Sequence, residues 1–253
     1  MLKTNDMSII ITGGCSGLGY GMAKRFSSQG AKVTICGRRE IKVREAQKSL
    51  GSNVSAIVVD VTKSKDRERL IEASLEHGGK INALINNAGN MYRGPIDKLD
   101  QNQLLDIFNT NVISGMMLLG ESKKYLAKTK GANIFIGSVH NRRAFPGASP
   151  YAATKGALET LTRVLAAELG NEKIRVNCVV PGGVFTEINQ RAGIFDDEAA
   201  KKRLDEMSSI HALGRIGTVE EIAEAVEFLI CSEWTTGSIL DVDGGLGLGL
   251  TEA

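Results

Sequence analysis

The stretch Ser8-Ile9-Ile10-Ile11-Thr12-Gly13-Gly14-Cys15-Ser16-Gly17-Leu18-Gly19 decides the fold. It opens on a β-branched run, turns through glycines and passes into a helical pattern that continues to about Gln29. A strand, a glycine turn and a helix in that order leave backbone N–H groups and a positive helix N-terminus facing outward, with no Cβ in the way of a pyrophosphate. The spacing Gly13, Gly17, Gly19 departs from the G-x-G-x-x-G fingerprint, since Met22 stands where the third glycine counted from Gly17 belongs. The loop predicts a nucleotide-binding turn that the rest of the chain must support.

Outward from this turn, strand and helix patterns alternate. Lys32 to Cys36, Val54 to Val59, Ile81 to Ile85, Ala132 to Gly137, Ile174 to Val180 and Ser238 to Val242 read as further strands. Helical patterns cover about Ser64 to His77, Gln101 to Thr129, Pro150 to Leu169 and Val219 to Ile230. Such alternation specifies an α/β, doubly wound fold, with a mainly parallel sheet and helices on both faces. No Pro-rich, Ser-rich or charge-run linker interrupts the 253 residues, so the chain reads as a single domain, 1–253. Residues 187–214 show poor sheet periodicity and a mixed charged helix, which predicts a lid over a site.

Composition excludes several classes. An apolar fraction of 42% and a charged fraction of 24% suit a soluble protein with a sizeable core. A net charge of +2 gives no nucleic-acid footprint. No apolar run approaches the ~20 residues of a membrane span, and the start of the chain lacks a signal-peptide shape, so a cytoplasmic location is expected. Cys15, Cys36, Cys178 and Cys231 are widely spaced, and His77, His140 and His211 have no metal-ligand spacing, so reduced thiols and no metal are expected. His77 and His211 are expected on solvated surface or loops.

The residues after the second strand select the nucleotide. Cys36-Gly37-Arg38-Arg39 places two guanidinium groups, and no carboxylate before Glu40, where a ribose 2′-hydroxyl or 2′-phosphate lies. The planar arginine fork suits phosphate, so NADP(H) is preferred over NAD(H). Asp60 closes the third strand where a carboxylate can meet an adenine amino group, and Asn86-Asn87-Ala88-Gly89 closes the fourth with small and amide-bearing residues. Asn111 lies amid Leu104, Leu105, Phe108, Val112 and Met116, so it needs a partner if buried.

Chemistry is carried by Ser138 to Lys155. Ser138 ends a strand, and Ser149 and Pro150 read as the N-cap and first residue of the next helix. Tyr151 and Lys155 then share a helical face at i and i+4. An ammonium roughly 5 Å from a phenolate, at an effective dielectric of about 20, favours it by about 3 kcal/mol. That brings a phenol from near pH ~10 toward the range where a general acid–base works. Ser138 can donate to a carbonyl oxygen gaining negative charge. Tyr20 and Lys24 repeat the spacing without an upstream serine and read as a surface pair. His140, Arg142, Arg143 and Phe145 lie between Ser138 and Tyr151, the stretch expected to shape a substrate pocket; the two arginines suit an anionic or acyl-carrier-bound substrate or are solvated loop charges, and Cys15, at a helix N-terminus, is a redox thiol or simply a small residue of the turn.

These motifs resemble those of the short-chain dehydrogenase/reductase family, in order and along essentially the whole chain: Thr12 to Gly19, Asp60, Asn86 to Gly89, Asn111, Ser138, Tyr151 with Lys155, and Pro181-Gly182 with Thr186. The resemblance implies a Rossmann-type sheet of seven strands, with Tyr151 as acid/base, Lys155 beside the nicotinamide ribose, Ser138 on the reacting oxygen and Asn111 in a proton relay. It also implies cofactor contacts from Gly13, Cys15, Ser16, Gly17, Leu18, Gly19, Arg38, Arg39, Asp60, Val61, Asn87, Ala88, Gly89, Pro181, Gly182, Val184 and Thr186. A small carbonyl or alcohol substrate and a homo-oligomer, tetramer or dimer, are further implications. The competing readings are an NAD-dependent alcohol dehydrogenase and a non-catalytic nucleotide sensor on the same fold. An extended-type epimerase would need a substrate domain for which 253 residues leave little room.

Overall fold

A computed structural model describes residues 2–186 and 206–249. Seven strands form one sheet: β1 (Ser8–Thr12), β2 (Lys32–Gly37), β3 (Val54–Val58), β4 (Ala83–Asn86), β5 (Ala132–Ile136), β6 (Arg175–Pro181) and β7 (Ile239–Val242). Their spatial order is β3-β2-β1-β4-β5-β6-β7, and every pairing is parallel. The order reverses between β1 and β4. In open α/β sheets that reversal opens a crevice at the strands' carboxyl ends.

The central strands β1 and β5 are buried on both faces, which is why they read as near-continuous apolar runs rather than alternating ones, and β6 is equally buried although it carries Arg175 and Asn177, both bonded to backbone carbonyls. Ile9, Ile10 and Ile11 are fully buried, and each removes about 1.5–3 kcal/mol worth of apolar surface from water. One core layer packs the helices α1 (Gly17–Ser28) and Val219–Cys231 against one face. The other packs α3 (Ser64–Gly78), α5 (Ser114–Thr129) and α6 (Ser149–Leu169) against the opposite face. The helix α2 (Glu40–Leu50) follows β2, and α4 (Gln101–Phe108) precedes α5. The last long helix, α7 (Val219–Cys231), starts at a capping box in which Thr218 and Glu221 satisfy each other's backbone N–H groups.

Two local expectations are corrected. The helical pattern of 101–129 is not one α-helix: residues Asn109–Ile113 form a π-turn, with the Ser114 N–H reaching Asn109 O five residues back. One extra residue in the turn rotates Asn111 inward, an arrangement that periodicity alone does not reveal. Ser149 is also not the N-cap of α6. Ala148 holds that position without a side-chain cap, and Pro150 lies one residue further into the first turn than expected, still where its missing N–H costs nothing. Most of the expected lid, residues 187–205, lies outside the described residues. Among the described residues no helix is long and apolar enough to cross a membrane.

Candidate active site

A cavity of about 750 Å³ runs along the carboxyl ends of the strands. Its walls are the segments that leave β1, β2, β3, β4, β5 and β6. Of the residues proposed from sequence for cofactor binding or catalysis, all line it except Gly19 and Asn111.

The glycine turn is held by the segment after β4. Thr12 Oγ1 accepts from Asn87 N at 3.0 Å and Ala88 N at 2.9 Å, while Asn87 Nδ2 donates to Thr12 O at 2.9 Å. Gly13 has φ +65°, in the left-handed region that favours glycine. A Cβ on Gly19 would sit 2.5 Å from Asn87 Nδ2 and from Gly13 O. Gly19 therefore serves as a packing surface for the amide that shapes the turn, which is why it does not reach the cavity.

The α1 N-terminus and the bare turn form a cradle suited to a pyrophosphate, and Arg38 and Arg39 enter the cavity beside it. Arg38 is exposed, and Arg39 donates to Ser16 Oγ at 3.4 Å. Asp60 Oδ1 accepts from Thr62 N at 3.0 Å and Thr62 Oγ1 at 2.8 Å, which fixes the carboxylate at the cavity wall. Cys15 is no activated thiolate: burial pushes its thiol up to about 11, with the Arg39 charge opposing only in part. Of the two readings of Cys15, this favours a small residue of the turn over a redox thiol. Cys36 and Cys178, also buried, are pushed up to about 12.

At the β5 and α6 side of the cavity the strand end and helix meet. Tyr151 is 7% exposed and Lys155 is 5% exposed, with Lys155 Nζ 5.5 Å from the Tyr151 ring centroid. Lys155 Nζ donates to Ile136 O, the last residue of β5, at 2.7 Å. Burial pushes the lysine down to about 8, since little nearby charge compensates its desolvation. Ser138 caps the short 3₁₀ turn Val139–Asn141, and its Oγ lies 3.0 Å from His140 Nδ1. Asn111 backs the cluster: its Oδ1 accepts from Asn90 N at 2.8 Å, and its Nδ2 donates to Asn90 O at 2.9 Å and Thr154 Oγ1 at 3.1 Å. Both ends of the amide are engaged, which answers the question of a partner for this buried asparagine.

Three further expectations are revised. Arg142 turns away from the cavity, bonding the buried Glu159 carboxylate at 2.7 Å and Asp241 at 3.2 Å, so it is an ion-pair partner rather than a substrate group. Arg143 reaches Leu246 O at 3.5 Å and is likewise absent from the cavity wall. His211 is 2% exposed, not solvated: its Nε2 accepts from Gly183 N at 3.2 Å and its Nδ1 meets Met207 O at 2.7 Å. Tyr20 behaves as expected, its hydroxyl meeting Ser49 Oγ at 3.0 Å at the surface. The cavity also takes in His140 and Phe145, from the Ser138–Tyr151 stretch expected to shape the substrate pocket, together with Tyr92, Arg93, Gln103 and Asp106, which had no motif to mark them. Among the described residues, no group of three or more His, Cys, Asp or Glu side chains is placed to hold a metal.

The chain belongs to the short-chain dehydrogenase/reductase family. A family model described as enoyl-(acyl carrier protein) reductase matches residues 13–247. It is an oxidoreductase of that family. The 3-oxoacyl-[acyl-carrier-protein] reductase FabG of Chlamydia muridarum is 34% identical over 248 residues, covering 95% of this chain and 97% of that protein. A human 3-oxoacyl-[acyl-carrier-protein] reductase is 31% identical, covering 96% and 99%. A Caenorhabditis elegans short-chain dehydrogenase/reductase of unknown function, solved with cofactor, superposes with a TM-score of 0.91 at 29% identity, covering 98% and 97%. A 3-ketoacyl-(acyl-carrier-protein) reductase of Brucella melitensis, complexed with NADH, gives 0.87 at 29% identity, covering 96% and 99%.

Proposed function

We propose that the protein is an NADP(H)-dependent carbonyl reductase or alcohol dehydrogenase, with Tyr151 as acid/base and Ser138, Lys155 and Asn111 as its supports. The observation that carries this reading is the convergence of Ser138, Tyr151 and Lys155 on the cavity that also holds the bare glycine turn and Arg38. The bound nicotinamide would supply or accept the hydride. Everything else in the reaction falls to the chain.

In the reductive direction Ser138 donates a hydrogen bond to the substrate oxygen as it gains negative charge. Tyr151 delivers its phenolic proton to that oxygen, and in the oxidative direction takes it back. The Lys155 ammonium, 5.5 Å from the ring centroid and buried beside it, favours the phenolate by Coulomb attraction that little water screens. Asn111 holds Asn90 and Thr154, and Thr154 Oγ1 in turn donates to Tyr151 O at 2.7 Å, so the amide braces the helix turn that carries the phenol. Gly13 and Cys15 to Leu18 would cradle the pyrophosphate, Arg38 and Arg39 would meet a 2′-phosphate, and Asp60 and Val61 would border the adenine. Asn87 to Gly89, Pro181, Gly182, Val184 and Thr186 would flank the remainder of the nucleotide.

NADP(H) is favoured by Arg38 and by the lack of a carboxylate between Gly37 and Arg39. NAD(H) is the second reading, favoured by the NADH complex of the Brucella relative. The first substrates to test are 3-oxoacyl thioesters, because several relatives are named for that activity. We further propose a single domain, a cytoplasmic location and a homo-oligomer, tetramer or dimer. The deciding experiment follows NADPH absorbance against 3-oxoacyl thioesters, simple ketones, sugars and steroids. Turnover of at least one carbonyl class is expected, and none with either nucleotide would contradict the reading.

A further inference from the structure

The serine beside the phenol does not stand free in the cavity. Ser138 Oγ lies 3.0 Å from His140 Nδ1 and accepts a longer bond, 3.4 Å, from the His140 backbone N–H. A hydroxyl has one proton and two lone pairs, so the direction of the 3.0 Å bond decides where that proton goes. If Nδ1 is bare, the serine proton is spent on the imidazole and cannot point at a substrate. If Nδ1 carries hydrogen, it donates to Oγ and the serine proton is left to turn into the cavity.

The histidine ring is held so that Nδ1 stays on the serine. Its centroid lies 5.1 Å from that of Tyr151 in an edge-on arrangement with planes at 87°, and 4.5 Å from that of Phe145 with planes at 34°. It sits two residues beyond the serine on the Val139–Asn141 turn. That turn is anchored on the far side by Asn141 Nδ2 donating to the buried Glu159 at 2.6 Å. Backbone and ring packing together fix the Nδ1-to-Oγ geometry.

We propose that His140 is the positioning residue for Ser138: its Nδ1–H donates to Ser138 Oγ and thereby aims the serine proton at the reacting oxygen. This rests on the role of Ser138 given above. His140 acts through the serine alone, so no atom of the substrate need touch it.

The test uses the full chain with NADPH and acetoacetyl-coenzyme A, comparing His140→Phe, His140→Asn, Ser138→Ala and the double variant Ser138→Ala/His140→Phe. Phenylalanine keeps the ring packing and removes the nitrogen, whereas asparagine keeps a side-chain N–H donor near the same place. Ser138→Ala should lower kcat by about 10²–10³-fold. His140→Phe should lower kcat by about tenfold, with KM for NADPH nearly unchanged, because a donor left unaimed retains part of its effect. His140→Asn should recover most of that loss, and the double variant should be no slower than Ser138→Ala.

Wild-type kcat in His140→Phe, or a double variant slowed by the product of the two single losses, would overturn the proposal. Full turnover by Ser138→Ala would instead refute the serine's own role. A readout without turnover is the ¹⁵N shift of the His140 ring nitrogens, assigned by their loss in His140→Phe. A protonated Nδ1 that changes on Ser138→Ala is expected, and a bare Nδ1 beside a protonated Nε2 would overturn the proposal even if acetoacetyl-coenzyme A is not turned over.

Discussion

Lys155 carries a positive charge into a place with almost no water, and that must show in the stability of the cofactor-free protein. Its folded-state value of about 8, against 10.5 for an ordinary lysine, means that folding disfavours the bound proton. A difference of that size amounts to about 3 kcal/mol of destabilisation when the lysine is protonated in both states. Lys155→Met removes the charge but also the hydrogen bond to Ile136 O, which returns about 1–2 kcal/mol of cost. The variant should therefore be more stable than wild type by about 1–2 kcal/mol at neutral pH, raising Tm by roughly 2–8 °C.

The sign follows from proton counting. Between about pH 8 and 10.5 the unfolded chain binds more protons at this lysine than the folded one, so wild-type stability gains as pH rises through that window. The penalty is complete below the folded value and gone above the unfolded one. Urea unfolding of cofactor-free wild type and Lys155→Met at about pH 7, 9 and 10 reads the difference directly. The variant's advantage should shrink by up to about 1.4 kcal/mol per pH unit and reverse to the loss of the hydrogen bond alone. A gap that stays constant across this range would refute the argument that burial sets the lysine's ionisation.

Further outcomes follow from other parts of the site. Arg38→Ala should weaken NADPH binding at least about tenfold while leaving NADH nearly unchanged, since one charged hydrogen-bonding partner of a phosphate is worth about 1.5–3 kcal/mol; titration calorimetry with both nucleotides decides it. Gly19→Ala drives a Cβ against Asn87 Nδ2 and Gly13 O, so nucleotide affinity and Tm should both fall, as measured by fluorescence titration and calorimetry. Asn111→Ala leaves the half-buried Asn90 backbone and the buried Thr154 hydroxyl short of partners and should cost about 1–3 kcal/mol in urea unfolding. Cys15, with its thiol pushed up to about 11, should react slowly with iodoacetamide at neutral pH and accelerate only on the alkaline side.

Much of this architecture was readable from residues because its signals are local. A β-branched run before Thr12, glycines at 13, 17 and 19, and apolar runs leading to Asp60, Asn86 and Ser138 each announce themselves within a few positions. Tyr151 and Lys155 were legible for the same reason, as one helical face. What stayed hidden depends on contacts far apart in the chain. Arg142 looks like a free cation until Glu159 and Asp241 come to meet it from α6 and β7. His211 looks like a loop residue until Gly183 supplies a donor from 28 positions away. The π-turn at Asn109–Ile113 leaves the 3.6-residue pattern of its flanks nearly intact, so only the backbone hydrogen bonds expose it. His140 was legible as a residue of the pocket stretch, but its bond to Ser138 was not. A histidine two residues after a candidate serine can reach its hydroxyl across a single tight turn, and that spacing was a usable signal.

The proton donor is the centre of the account, and one substitution addresses it. Tyr151→Phe removes a single oxygen from a ring that is otherwise buried between α6 and the cavity, so folding and nucleotide binding should survive. With a carbonyl substrate found by the screen, NADPH consumption by the variant should fall to background while its affinity for NADPH stays within about twofold of wild type. Turnover retained at the wild-type rate would contradict the account.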